Sequence, residues 1–135
     1  MHSTRPIRRA LAFFAAMFLA SETISAQQAQ QAGDAGATDS EIRIGNIMPY
    51  TGPLAAFAAI GRAEAAYFDM VHDRGGINGR KIRFISRDDN SSPRMAVENT
   101  SQLVEQEKVL LMFGSFGTPG NLATRTYLNE KKVPQ

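Results

Sequence analysis

Strand-like and helix-like patterning alternates three times across residues 42–135, and this order constrains the fold more than any other feature of the chain. Ile42, Ile44 and Ile47 mark a β-branched first strand that ends at Pro49, and Tyr50, Thr51, Gly52 and Pro53 compose a turn. Over residues 54–72 the residues Phe57, Gly61, Ala65, Phe68 and Val71 recur at the spacing of one helical face, and Gly75 and Gly76 stop that helix. Asn78 and Gly79 form a tight turn into a second strand, where Ile82 and Phe84 alternate with Lys81 and Arg83. Pro93 opens a second helix with Ala96, Thr100, Leu103 and Val104 on one side and Glu98, Glu105 and Glu107 exposed. Residues 109–113 are unbroken apolar, as in a strand covered on both faces. Thr118 and Pro119 start a third helix that runs through residues 122–131, and residues 133–135 open a fourth strand.

Gaps this long exclude hairpins and require crossover connections, hence a parallel sheet with helices on both faces. The predicted class is α/β, a doubly wound parallel sheet in the order 2-1-3-4. The polar second strand belongs at an edge and the apolar third strand in the centre. In such sheets ligands bind outside the carboxyl ends of the strands, at the switch point between strands one and three. A natural domain ending at the third strand would leave a central edge bare, so the chain reads as the N-terminal part of a longer protein.

The N-terminus has a different character. Three arginines in residues 1–9 precede an eleven-residue apolar run at 10–20 and a small, polar exit at 21–26. This is the order of a secretory signal peptide, and the run is too short to span a bilayer as a helix. Residues 27–40 hold four Gln, two Gly and two Asp with only small apolar residues, a composition that reads as a disordered tether. The remainder, residues 41–135, is the predicted folded lobe. Its charges balance: removing Arg5, Arg8, Arg9 and Glu22 from 15 basic and 13 acidic residues leaves twelve of each, so charge gives no support for a nucleic-acid partner. The chain has no cysteine, which excludes disulfides, thiolate metal sites, a cysteine nucleophile and a lipidated cysteine anchor.

Chemistry, if present, belongs in the switch-point loops at 50–57 and 115–120. Neither GxGxxG nor GxxxxGKS/T occurs, so no nucleotide cofactor is indicated. Asp88 and Asp89 are adjacent on a strand and point to opposite faces, which disfavours a shared metal. One is expected to face solvent and the other to order the AsnSerSerPro turn. His72 has no evident partner, and no catalytic constellation is visible. Thr118, directly before Pro119, is placed to cap the third helix through its hydroxyl. The N–H groups of Gly117 and the following turn would then face the crevice and favour an anion such as a carboxylate. Phe57 and Phe116 would supply apolar walls.

Three segments occur together and in order: IleArgIleGlyAsnIleMetProTyrThrGlyProLeuAlaAlaPhe at 42–57, GlyGlyIleAsnGlyArgLysIle at 75–82, and ArgAspAspAsnSerSerPro at 87–93. They resemble the branched-chain amino-acid (Leu/Ile/Val) type of periplasmic solute-binding protein of ABC importers. The resemblance implies a two-lobed fold that closes on its ligand, of which residues 41–135 are part of the first lobe. It implies that Phe57 borders the ligand, that Phe116 and Gly117 lie in the loop after the third strand, and that Thr118 binds the ligand's α-carboxylate. It further implies no catalysis, no cofactor, a periplasmic location and a membrane permease as partner. The residues that hold an α-ammonium come later in the family. Related importers take up amides, urea, aromatic acids and other small carboxylates, so amino-acid specificity stays open. Two other classes remain at this point: the ligand-binding domain of a sensory receptor with the same fold, and an exported α/β enzyme.

Overall fold

The computed structural model describes residues 36–135. The signal peptide expected over residues 1–26 and the tether residues 27–35 lie outside the described residues. Residues 36–40, expected to belong to the tether, fold back on the first strand: the Arg43 N–H donates to Gly36 O at 2.7 Å and the Thr38 N–H to Glu41 O at 2.8 Å.

The elements follow in the order β1 (Glu41–Met48), α1 (Ala58–Asp73), β2 (Lys81–Asp88), α2 (Pro93–Glu105), β3 (Leu111–Met112) and α3 (Thr118–Lys131), with a single 3-10 turn at Ala55–Phe57 ahead of α1. The three strands form a parallel sheet in the order β2-β1-β3. β1 pairs with β2 over its full length, from Glu41 opposite Lys81 to Met48 opposite Asp88. On the other side it pairs with β3 through Ile44 and Gly45. The second strand is therefore at an edge, as its alternation requires.

Successive side chains of a strand point to opposite faces, and this parity sorts the helices. Ile47 packs with Ala96 and Leu103 of α2, Leu128 of α3, Val109 and Met112, with Ile85 against their rim. Phe84, of the opposite parity to Ile85, meets Phe68 of α1 at a ring-centroid distance of 5.0 Å, and Phe113 meets the same ring at 5.5 Å. The sheet thus carries α1 on one face and α2 with α3 on the other. Leu103 and Leu128 are fully buried, and each such side chain contributes about 1.5–3 kcal/mol relative to an exposed one.

Three sequence expectations need correction. The apolar run 109–113 is not a five-residue buried strand. Only Leu111 and Met112 have strand geometry, and Phe113 is largely exposed. β1 lies between β2 and β3 in the described sheet, and the far side of β3 receives the C-terminal segment through a bond from the Met112 N–H to Pro134 O at 2.8 Å. Glu107 is not an exposed residue of the second helix. It lies past the end of α2 and pairs with Arg83 at 3.5 Å and Arg87 at 3.2 Å. Phe57, counted on the apolar face of the first helix, precedes α1 and is 44% exposed.

Candidate functional site

The loops at the carboxyl ends of the three strands are tied together by side chains of the strands themselves. Asp88, the last residue of β2, accepts the N–H groups of Tyr50 (3.0 Å), Thr51 (3.2 Å) and Asn90 (2.9 Å) on Oδ1 and the Thr51 hydroxyl (2.5 Å) on Oδ2. Burial acts to raise the Asp88 pKa, but these four donors outweigh it and hold the carboxyl below its ordinary value. Asp89 is buried and accepts the Ser91 N–H at 2.9 Å. Its pKa is raised by burial, with the charge of Asp88 adding to the effect and the Ser91 amide opposing it. The expectation that one of these carboxylates faces solvent is corrected: both order backbone, Asp88 the first loop and Asp89 the turn into α2. Among the described residues no group of three or more His, Cys, Asp or Glu side chains is placed to hold a metal.

A second network runs beneath the mouth. Asn46, in the middle of β1, is 0% exposed. Its Nδ2 donates to Phe113 O at 2.8 Å and to Glu64 Oε2 of α1 at 3.1 Å. Its Oδ1 accepts the Ser86 hydroxyl at 2.6 Å, which in turn takes the Tyr50 hydroxyl at 2.6 Å. Burial raises the Glu64 pKa. Close approach is required here, because a Cβ on Gly61 would stand 2.5 Å from the Tyr50 hydroxyl and 2.9 Å from Met48 Cγ. A buried amide of this kind must be fully partnered to be tolerated, and this one is.

The four residues singled out by sequence divide as follows. Phe57 and Phe116 come from different loops and stack, with centroids 4.5 Å apart and planes 22° apart. Phe116 is set by its N–H bond to Ile47 O at 2.9 Å, and Ser115 Oγ accepts the Ile47 N–H at 3.1 Å. Gly117 is the N-cap of α3, with φ 105° and ψ 117°, a conformation that side chains strongly disfavour. Thr118 is exposed and is the first residue of α3. It does not cap the helix, contrary to the sequence expectation. The cap is one residue earlier because Gly117 alone can adopt that backbone, which moves Pro119 to the second helical position. The first helical bond runs from the Asn121 N–H to Gly117 O at 3.0 Å. The N–H groups of Thr118 and Gly120 therefore have no acceptor within the helix, and no side chain caps the terminus among the described residues.

A groove of about 410 Å³ runs along α3 between Thr118, Leu122 and Arg125 and the C-terminal Val133 and Gln135. Of the four residues it touches only Thr118, and it lies on the flank of the sheet rather than at the stacked rings. The chemistry favours the loop mouth, where the helix terminus and the aromatic pair adjoin. Sequence reading missed Asn46, Glu64, Ser86 and Ser115 as supports of this mouth. Asn46 carried a visible signal, a lone amide inside a β-branched strand. The other three carried none, since their partners lie 18 to 68 residues away.

Residues 41–135 match the family model described as periplasmic binding protein. An amino acid binding protein of Pseudomonas aeruginosa is 35% identical over 97 residues, covering 70% of this chain and 25% of the relative. A fatty acid ABC transporter substrate-binding protein from Thermomonospora curvata superposes with a TM-score of 0.64 at 30% identity, over 74% of this chain and 26% of that one. The branched-chain amino acid transporter substrate-binding protein of Streptococcus pneumoniae, solved with isoleucine, superposes with a TM-score of 0.67 at 28% identity, over 70% and 28%. The chain thus spans about a quarter of the length of the relatives it matches. They are binding proteins, not enzymes. With its parallel β2-β1-β3 sheet, its ordered switch-point loops and its match from residue 41 to residue 135, the chain belongs to the periplasmic binding protein family, of the type that includes the Leu/Ile/Val-binding proteins.

Proposed function

We propose that residues 41–135 are part of the first lobe of an extracytoplasmic solute-binding component of an ABC importer, and that this lobe holds the carboxylate of a small ligand at the start of α3. The observation that carries the reading is the meeting of two loops: the Phe57–Phe116 stack stands beside a helix terminus with free N–H groups and the Thr118 hydroxyl. Free N–H groups and the helix dipole together favour an anion, and a hydroxyl adds one donor. Isoleucine and fatty acids, named for two of the structural relatives, differ in almost everything except a carboxylate. That shared group is what this terminus is built to receive.

The mechanism is capture without bond chemistry. The ligand docks on this lobe, and a second lobe closes over it, so the closed form must bind more tightly than the open one. The closed pair then presents a surface to a membrane permease. The location is the periplasm, reached through the export signal expected at residues 1–26.

The test is calorimetric titration of the protein at its full natural length with acids and their matched amides, including isoleucine, a fatty acid and isoleucinamide. Binding of acids but not amides, weakened by Thr118→Val, is the expected result. A tight ligand without a carboxylate, or affinity indifferent to Thr118→Val, overturns the reading.

A further inference from the structure

α1 buries Ala58, Gly61 and Phe68 against the sheet. The helical repeat puts Met70 on the side directly opposite, with Ile60 and Tyr67 along one flank of that outer face and Arg62, Asp69 and Asp73 along the other. Ile60 is 40% exposed, Tyr67 58% and Met70 37%. Tyr67 is held in place by an edge contact with Phe68, ring centroids 5.8 Å apart. Exposed apolar residues scattered singly are ordinary, but several on one face of one helix mark an interaction surface. The charges beside them are equally without a partner: among the described residues neither Arg62 nor Asp69 enters an ion pair. They stand two turns apart, about 10 Å along the axis, beyond the three- or four-residue spacing at which they could serve each other within α1.

We propose that the outer face of α1 docks a second copy of this protein, the two helices packing antiparallel about a two-fold axis close to Ala65. The order of the residues fits this partner. A two-fold contact must be self-complementary, each residue i meeting j while j meets i. Ile60 and Met70 lie equally far on either side of Ala65, so each would meet the other's counterpart. Arg62 and Asp69 are centred on almost the same point and share one flank, so Arg62 would pair with the partner's Asp69 and Asp69 with the partner's Arg62. Asp73 would fall beside the start of the partner's α1, the positive end of that helix dipole. A parallel arrangement would instead set like charges against each other. Exposed ion pairs add little affinity, so the apolar residues supply the attraction and the two charge pairs fix the direction and register.

The deciding measurement is sedimentation of the full-length protein across the micromolar range. A concentration-dependent dimer is expected. Tyr67→Glu should weaken it at least about tenfold, as for a central aromatic anchor. Arg62→Glu and Asp69→Arg should each weaken it several-fold, and the double variant Arg62→Glu/Asp69→Arg should restore it to within about twofold, because opposite charges meet again. The charge variants alter exposed side chains only, so they keep the test decisive if Tyr67→Glu fails to fold. A protein that sediments as a monomer throughout overturns the proposal, whether the face then serves a permease or lies under later parts of the chain. A dimer indifferent to Tyr67→Glu and to the single charge reversals overturns it too, as does a loss that the double reversal does not repair.

Discussion

Asn46 Nδ2 reaches across the sheet to the carbonyl of Phe113 at 2.8 Å, so the central strand directly holds the segment that leads into the β3–α3 loop. The same amide binds Glu64 and Ser86, and through Ser86 it reaches Tyr50 of the first loop. One buried side chain thus links both loops of the mouth. Asn46→Leu leaves the Phe113 carbonyl, the Ser86 hydroxyl and Glu64 without this partner. Each buried orphan costs about 1–3 kcal/mol, so urea unfolding should show a loss of that order or more. An unchanged midpoint would contradict the network.

Gly61→Ala opposes two effects of known size. Alanine gains about 1 kcal/mol of helix propensity over glycine, but its Cβ meets the Tyr50 hydroxyl and Met48 Cγ within 3 Å. Overpacking typically costs about 1–3 kcal/mol, so the variant should melt lower. Adding Tyr50→Phe removes one of the two clashing atoms and should recover part of the loss.

The carboxylates Asp88 and Glu64 should give opposite pH signatures. The folded pKa of Asp88 lies below its unfolded value, so its stabilising contribution is complete above the unfolded pKa and is lost as pH falls through the folded one. Acid melts of Asp88→Asn should lose less stability than wild type below the ordinary carboxylate range. Glu64 has a raised folded pKa, so stability from this group is greatest below the unfolded pKa and declines as pH rises through the folded one. Glu64→Gln should accordingly flatten the melting temperature above that range.

Thr118 is exposed and caps nothing, which separates binding from folding at this position. Thr118→Val should leave the unfolding free energy within about 0.5 kcal/mol of wild type, as for ordinary surface changes. Its ligand affinity should fall roughly tenfold or more, the usual loss for a hydrogen bond to a charged group. Thr118→Ser keeps the donor and should retain affinity.

Gly117 differs from its neighbour in kind. No atom lies within 4 Å of where its Cβ would stand, so any cost of Gly117→Ala comes from the backbone at φ 105°. Such conformations cost about 1–3 kcal/mol for a side-chain-bearing residue. Denaturation should register that loss, and a shifted α3 start should weaken ligand binding as well.

Sequence periodicity alone determined the α/β class, the edge position of β2 and the helix that opens at Pro93, because alternation and helical spacing are local signals of burial. It also singled out the two loops that meet at the mouth, since the strand–helix order dictates where a switch point lies. Tertiary structure decided the rest. The helix cap moved from Thr118 to Gly117 because backbone conformation, not side-chain chemistry, set the first turn. Asp88 and Asp89 became loop anchors because their donors arrive from residues 50, 51, 90 and 91. The stacking of Phe57 on Phe116 across 59 positions was decided by the β1–β3 pairing, a long-range contact that no local pattern encodes.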